Sequence, residues 1–421
     1  MPLQMPATLV ILFAGSLAHG NGQTTHLWIS EKAVEHLEDA ALISLLESQK
    51  DALRLGTMFP DGGYPIGHEY GEVAHWEPFQ DAYRDWIVQQ HPDLTQPDAK
   101  AHIAFYMGLA SHGMADQVFD SMYMERSRIY DAAYGWADQS TALDFAQDIV
   151  FAAETTPQTV PEPWIPDHFP DLFAGLGVDV DMDTMLEGQD RLDIAIRGTG
   201  GLSEVEAAVT LNGEAFPWGC SHLLDETVPG SPPFEAKVVA KYWAHLWKEL
   251  HGEPGELDII GVFPAPNSMG HATNAEDIEA KLSLVFSRGL LSENVTEEHF
   301  RAQSPETVHE IGLNLFYRDH SHVVNISPVN GWATQTEHTL TVMDTLEATD
   351  GRRLAEPYIL PFSTVPPPTE DTGQQPPNDT GHAAVSEKAG CGCATHARPS
   401  MHWLLLLLCL LARRPTAPTS R

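Results

Sequence analysis

The run FYMGLASHGMADQVFD at residues 105–120 holds three residues that are out of character on an apolar helix: His112, Asp116 and Asp120. Spaced four apart, they lie on one helical face, over about 12 Å of axis. Phe105, Met107, Leu109 and Met114, with Ala104, Ala110 and Ala115, predict a helix buried on most of its circumference. A buried carboxylate needs a cation or a hydrogen-bond partner, and a divalent metal ion is the compact solution. The plainer reading is a solvated stripe on an amphipathic helix. A second segment, GTMFPDGGYPIGHEYGEVAHWEPF at residues 56–79, sets Asp61 in a turn between Pro60 and Gly62-Gly63 and places His75 before Trp76. Alone, such an Asp reads as a turn cap and such a His as a surface residue. Together with the helix they read as one metal site, since loops on a rigid scaffold often carry ligands.

The elements that must position these residues are helical. From residue 23 to about 250 the apolar pattern predicts helices at 29–46, 79–90, 99–130, 141–153, 182–196 and 234–250, so this part is all-α. Stretches rich in proline and aromatics interrupt it at 155–170 and 214–233. In the second, Trp218, His222 and Asp225 stand where they can line a site mouth or pack a wall. After Gly252 short β-rich runs at 257–263, 281–286, 313–316, 322–326, 338–342 and 359–362 predict a small β-sandwich. His320 and His322 in YRDHSH have metal-like spacing but are expected at a strand edge.

The order THLWISEKAVEHL (residues 25–37), FPD, AHW and HxxxD on a helix resembles the zinc-dependent phospholipase C family. The likeness is strongest to the amino-terminal catalytic domain of the glycosylphosphatidylinositol-specific phospholipases D and covers roughly residues 22–250. S1/P1-type single-strand nucleases share the fold more distantly. This resemblance implies that His26 holds one zinc ion and that Asp61, His75, His112 and Asp116 hold a second. Asp116 would bridge the two, and Asp61 would also act as general base. The family's third metal position takes a His after the HxxxD helix, then a HxxxE or HxxxD pair on the next helix. The nearest matches are Asp120, and Asp144 with Asp148 in TALDFAQDIVFAAE. Aspartates replace both expected histidines, so this position is all oxygen and admits Mg²⁺, Mn²⁺ or Ca²⁺ as well as Zn²⁺. The amino-terminal Trp that bacterial family members place on the metal has no counterpart. Two or three ions are implied in all. LSLVFSRGLLSENVTEEHFRA, ISPVNGWATQTEHTLTV and PFSTV resemble the bacterial Ig-like domains known from surface-layer proteins, which implies a spacer or binding platform.

With 421 residues the chain has room for more than one core, and 59 acidic against 23 basic residues give a formal charge of -36. That excess argues against nucleic acid or an anionic membrane as a passive partner, since both would be repelled. Residues 1–20 read as a secretory signal peptide. The α-domain is expected at 21–252, the sandwich at 256–365 and a Pro/Thr-rich linker at 366–388. Residues 389–421 resemble a myxobacterial sorting and anchoring signal, with Cys391-Gly392-Cys393, an apolar run at 403–411 too short to span a bilayer, and Arg413-Arg414. Cys220 alone falls in the folded part and is expected as a buried thiol. The expected protein is a secreted, surface-displayed metal-dependent phosphodiesterase acting on phospholipid-type esters, touching the membrane through its tail and needing no obligate protein partner. The alternatives are a non-catalytic adhesion protein that keeps the fold, or a single-strand nuclease.

Overall fold

The structure, a computed structural model, describes residues 21–132, 140–156 and 159–367. The expected leader, carboxy-terminal signal and nearly all of the linker lie outside these. No helix among the described residues is long and apolar enough to cross a membrane.

The chain opens with α1 (Gln23–Val34), α2 (Ala40–Ser48) and α3 (Lys50–Met58). The single helix expected at 29–46 is thus two, because Asp39 starts a new one: its Oδ1 accepts from the amides of Ala41 and Leu42 at 2.8 and 2.9 Å. A 3-10 turn, Pro60–Ile66, carries Asp61, and the short α4 (Tyr70–Ala74) delivers His75 ahead of α5 (Glu77–Gln90). Next come α6 (Pro97–Val118), a π-helical segment Phe119–Met124 and α7 (Glu125–Tyr130), one continuous rod as the pattern at 99–130 predicts. The helical part closes with α8 (Ser140–Glu154), α9 (Phe169–Gly175), α10 (Met182–Ser203), α11 (Glu206–Ala215), α12 (Pro217–Ser221) and α13 (Pro232–Leu250).

Every residue of α6 from 103 to 118 is buried, which makes this helix the axis of the core. Its small residues set the distance to its neighbours. A Cβ on Gly108 would stand 2.1 Å from the Leu53 carbonyl oxygen, and one on Gly56 2.0 Å from that of Phe105, so α3 and α6 meet backbone to backbone. On the other side, a Cβ on Gly113 would stand 2.2 Å from the His75 carbonyl oxygen. The loop bearing His75 therefore lies directly on α6.

The carboxy-terminal part holds β1 (Ile259–Phe263), β2 (Leu282–Leu290), β3 (Phe300–Gln303), β4 (Val308–His309), β5 (Ile311–Leu315), β6 (Ser321–Pro328), β7 (Glu337–Val342) and β8 (Tyr358–Ser363). They form two four-stranded antiparallel sheets of order β1-β2-β6-β5 and β4-β3-β7-β8. Leu284, Phe286, Val324 and Ile326 of the first pack with Ala302, Leu340, Val342 and Leu360 of the second. The opposite face of the first sheet sends Ile260, Val285 and Val323 into the core of the helical part. All nine residues of β2 are buried because both of its faces are covered.

Polar bonds complete that contact. Arg288 Nη2 meets Asp81 Oδ2 at 2.7 Å and its Nε meets Glu77 Oε1 at 3.2 Å, with Arg288 and Glu77 both buried. Arg352 reaches Glu249 of α13 at 2.6 Å, which Arg84 of α5 holds from the helical side at 2.8 Å, and Gln117 Oε1 accepts from the His322 amide at 2.7 Å. Helices and sheets form one compact unit. His322 departs from the strand-edge expectation: β6 is an inner strand, and the side chain is buried with Nε2 3.4 Å from Glu77 Oε1.

Candidate metal centre

Five predicted ligands, drawn from four places in the chain, converge here. α1 supplies His26, the 3-10 turn Asp61, the end of α4 His75, and α6 both His112 and Asp116. Asp116 uses its two oxygens differently. Oδ2 stands 3.3 Å from the Nε2 atoms of both His75 and His112, while Oδ1 stands 3.0 Å from His26 Nε2. Asp61 Oδ1 closes the set at 3.3 Å from His75 Nε2 and 3.4 Å from His112 Nε2. The rings of His26 and His112 stack at 3.8 Å. All five residues are buried.

The backbone aims the imidazoles. His75 Nδ1 donates to the Gly71 carbonyl at 2.6 Å, and His112 Nδ1 to the Thr57 carbonyl at 2.7 Å. Since a carbonyl can only accept, each neutral ring carries its proton on Nδ1 and turns a bare Nε2 lone pair toward the carboxylates. Accordingly, His26 Nε2, His75 Nε2, His112 Nε2 and Asp61 Oδ1 have no hydrogen-bond partner among the described residues. Acceptor atoms facing one another at these distances call for positive charge between them.

The titration of the groups carries the same message. Burial disfavours charge on His75 and His112, but Asp116 and Asp61 outweigh it and push the rings up to about 10 and about 9. Burial would raise Asp61 and Asp116; the facing imidazoles, His112 first, instead hold both below the usual carboxylate range. His26 shifts the other way, lowered by burial and by the neighbouring His112. Imidazolium protons here stand in for a cation.

The third predicted group is arranged differently. Asp148 caps α1: it accepts from the amides of Thr24 and Thr25 at 3.3 and 2.9 Å and from both hydroxyls. Asp144 lies buried one turn earlier on α8. Asp120 is buried in the π-helical segment, where burial and then the charge of Asp116 push its carboxyl up. Neither of the two close ligand groups among the described residues includes Asp120, Asp144 or Asp148.

Sequence reasoning passed over four participants. Asn21 donates its backbone amide to Asp116 Oδ1 at 3.2 Å and its side chain to Glu235 Oε2 at 2.7 Å. Gln23 Nε2 donates to Asp61 Oδ2. Glu235 is wholly buried; burial raises its carboxyl, the Asn21 bond opposes this, and Asp116 and Asp120 add to it. Tyr64 packs beside His75, rings 5.5 Å apart, and donates to Glu72 at 2.9 Å. A buried carboxylate in the first turn of a helix has no local motif, and only the apolar run around Glu235 marks it as odd. Trp218 and His222 stack on one another, and the exposed Asp225 closes a turn onto Thr227. Cys220 is a buried free thiol, which burial pushes up to about 12.

Buried imidazoles and carboxylates with lone pairs turned inward define a candidate metal centre, and comparison with known proteins gives it a chemical context. Over 157 residues the chain is 30% identical to the phosphatidylinositol-glycan-specific phospholipase D of Rattus norvegicus, covering 34% of this chain and 19% of that protein. The human protein of the same name is 29% identical over 163 residues, with the same coverage. That of Dictyostelium discoideum is 27% identical over 158 residues, covering 33% of this chain and 16% of its own. The chain thus spans less than a fifth of the length of these relatives. It is a distant phospholipase relative over about a third of its length, which supports a hydrolase in general. No protein-family profile matches it. The crystal structure of the N-terminal part of the bacterial S-layer protein SbsC aligns with 76% of this chain and 78% of its own at 12% identity. Its TM-score of 0.21 is too low to relate the two folds.

Proposed function

We propose that this protein is a metal-dependent phosphodiesterase of phospholipase C type, hydrolysing phospholipid or glycosylphosphatidylinositol-type esters outside the cytoplasm. One observation carries the reading. Asp61 Oδ1, His75 Nε2, His112 Nε2 and Asp116 Oδ2 are separated by 3.3 to 3.4 Å along four of their six edges. A tetrahedral zinc ion with bonds of about 2.0–2.2 Å has edges of roughly 3.4 Å. Those four edges match that geometry, and Asp61, His75 and His112 together form one of the close ligand groups among the described residues.

These four would hold one ion, and His26 with Asp116 Oδ1 would begin a second. Bound cations polarise phosphoryl oxygens, lower the pKa of a bound water and stabilise the leaving oxygen. Asp61 is the general-base candidate: Oδ1 faces the imidazoles while Gln23 orients Oδ2. Similarity to phosphatidylinositol-glycan-specific phospholipases D supports the substrate class over the nuclease alternative. We read the sandwich as an Ig-like module and residues 389–421 as a surface-sorting signal.

Metal analysis of the purified protein, with hydrolysis of bis(p-nitrophenyl) phosphate and phosphatidylinositol, tests this. Two or three zinc equivalents and chelator-sensitive turnover are expected. Less than one equivalent, or no turnover on either substrate with zinc or manganese, refutes it.

A further inference from the structure

Gln23 is the first residue of α1, half-buried beside the centre, and its amide can stand only one way round. A carboxylate oxygen accepts, so the bond to Asp61 Oδ2 comes from Nε2. That settles the carbonyl: Oε1 is buried on the other side of the amide carbon and has no hydrogen-bond partner among the described residues. Asp61 Oδ1 has none either. Two unpartnered acceptors therefore sit on side chains joined by one hydrogen bond. Oxygen and nitrogen of an amide are about 2.2 Å apart, and the bond from Nε2 to Oδ2 adds no more than about 3 Å. Oε1 thus stands at most about 5 Å from the Asp61 carboxylate, a gap that one water closes with two hydrogen bonds of about 2.8 Å.

Oε1 does not serve as a helix cap. The amides of Thr24 and Thr25 are taken by Asp148, and that of Asn21 by Asp116. A buried acceptor without a donor is costly, so its place suits a partner with a proton to share. Phosphoryl oxygens of an ionised phosphodiester are acceptors themselves and would meet Oε1 unfavourably. A water molecule, with two protons to donate, matches both acceptors at once.

We propose that Gln23 holds the attacking water: Nε2 fixes Asp61, and Oε1 accepts a hydrogen bond from the water while Asp61 accepts the other. As the water oxygen bonds to phosphorus, its proton passes to Asp61, and the ester oxygen leaves with the electron pair of the broken P–O bond. Gln23 neither gains nor loses a proton. Glutamine orients an attacking water in other phosphoryl-transfer enzymes in the same chemical sense. The inference rests on the proposed function and names the residue that aims its nucleophile.

Gln23→Met in the full chain tests it, with bis(p-nitrophenyl) phosphate as substrate and fluoride as a probe of the water's place. Methionine matches the length of glutamine without its amide. At saturating zinc, kcat is expected to fall about 100-fold, the low end of what a positioned proton transfer supplies, with KM within about threefold of the wild type and zinc content unchanged. Fluoride replaces a bound water but donates no hydrogen bond, so in the wild type it meets Oε1 acceptor to acceptor. In cobalt-loaded protein, followed by visible absorption, it should bind Gln23→Met about 10-fold tighter than the wild type. A residue that merely steadied the helix would leave fluoride binding as it is. Wild-type kcat in Gln23→Met, or fluoride binding that is unchanged or weaker, overturns the inference while zinc content and turnover of the wild type keep the proposed function standing. Loss of a zinc equivalent in Gln23→Met would make Oε1 a ligand and overturn it as well. A wild type with neither bound zinc nor turnover overturns both this inference and the proposed function.

Discussion

Gly108→Ala tests whether α3 is the frame that aims His112. In a helix interior with free space around it, this change stabilises by about 1 kcal/mol, because glycine is the poorer helix former. At Gly108 the new Cβ would stand 2.1 Å from Leu53 O and 2.6 Å from Thr57 N. Carbon and oxygen settle no closer than about 3.3 Å, so α3 must withdraw by roughly 1 Å. Both obstacles are backbone atoms, so no rotamer change relieves the clash. Overpacking of this kind costs about 1–3 kcal/mol, which reverses the sign expected from propensity. The shift passes directly to the centre, since the Thr57 carbonyl lies 2.7 Å from His112 Nδ1 and a withdrawal of that size breaks the bond. Loss of such an outer hydrogen bond lowers metal affinity by about 10- to 100-fold. Urea unfolding of the chelated protein measures the stability, and zinc competition with a chromophoric chelator measures the affinity. Gly198→Ala is the control: nothing lies within 4 Å of its Cβ, so it should stabilise and leave zinc binding unchanged. If Gly108→Ala matched that control in both measurements, the close approach of α3 to α6 would not be what positions His112.

Three further outcomes are expected. His112→Ala removes a ligand common to both close groups, so metal content by elemental analysis should fall by at least one equivalent; wild-type content would dissolve the site assignment. In the chelated protein, His75 and His112 are raised from 6.5 to about 10 and about 9, so their stabilisation is complete below pH 6.5 and is lost as pH rises through 9 to 10. The melting temperature of chelated protein should therefore fall across that window while the increment from added zinc grows, and a flat profile for the chelated protein would contradict the assignment. Arg288→Met leaves Glu77 buried without its main cation and should destabilise the whole unit by roughly 3–5 kcal/mol in one unfolding transition. Loss of the sheets alone, with the helices unchanged, would show that the two parts unfold independently.

The residues of the cluster are legible in the sequence because each sits in a local contradiction. His112 and Asp116 interrupt an apolar helix, and Asp61 follows a proline and precedes two glycines. Once the chain folds, these contradictions resolve into one cluster. Long-range partners were not legible, since no spacing links Glu77 to Gly289, 212 residues away, although the amide of Gly289 donates to its carboxylate at 3.0 Å. The capping role of Asp148 is hidden for a related reason. A carboxylate four residues from another looks the same in sequence whether it faces a metal or the amides of a distant helix, and the amides of Thr24 and Thr25 lie more than a hundred residues earlier. His322 was placed at an edge because YRDHSH reads as a polar turn. Its burial comes from the helices packed on that sheet, which the strand's own alternation cannot reveal.

The contact between sheets and helices bears directly on the loop that carries His75. Within residues 72–77, Arg318 lays its guanidinium 4.3 Å over the Trp76 ring and pairs with Glu72, and Tyr317 meets Trp76 edge-on at 5.6 Å. Glu77 is held by Arg288 and the Gly289 amide, with His320 Nδ1 3.7 Å away. His75 therefore sits between residues fixed from the sheet side, while its own ring is fixed by Gly71 from the helix side. The polar part of this contact adds little net stability, because a buried ion pair roughly breaks even against well-packed apolar residues of the same volume. Adhesion comes instead from Ile260, Val285 and Val323, which belong to the helical core. Apolar burial thus supplies the affinity between the parts, and the charged network fixes their register, since a displaced Glu77 would leave a carboxylate and a guanidinium buried and unpaired. Removing the sheets would expose that apolar face and free the loop beside a metal ligand. For that reason the sheets are part of the frame of the candidate metal centre, a scaffolding role beyond the spacer or binding platform that the resemblance implies.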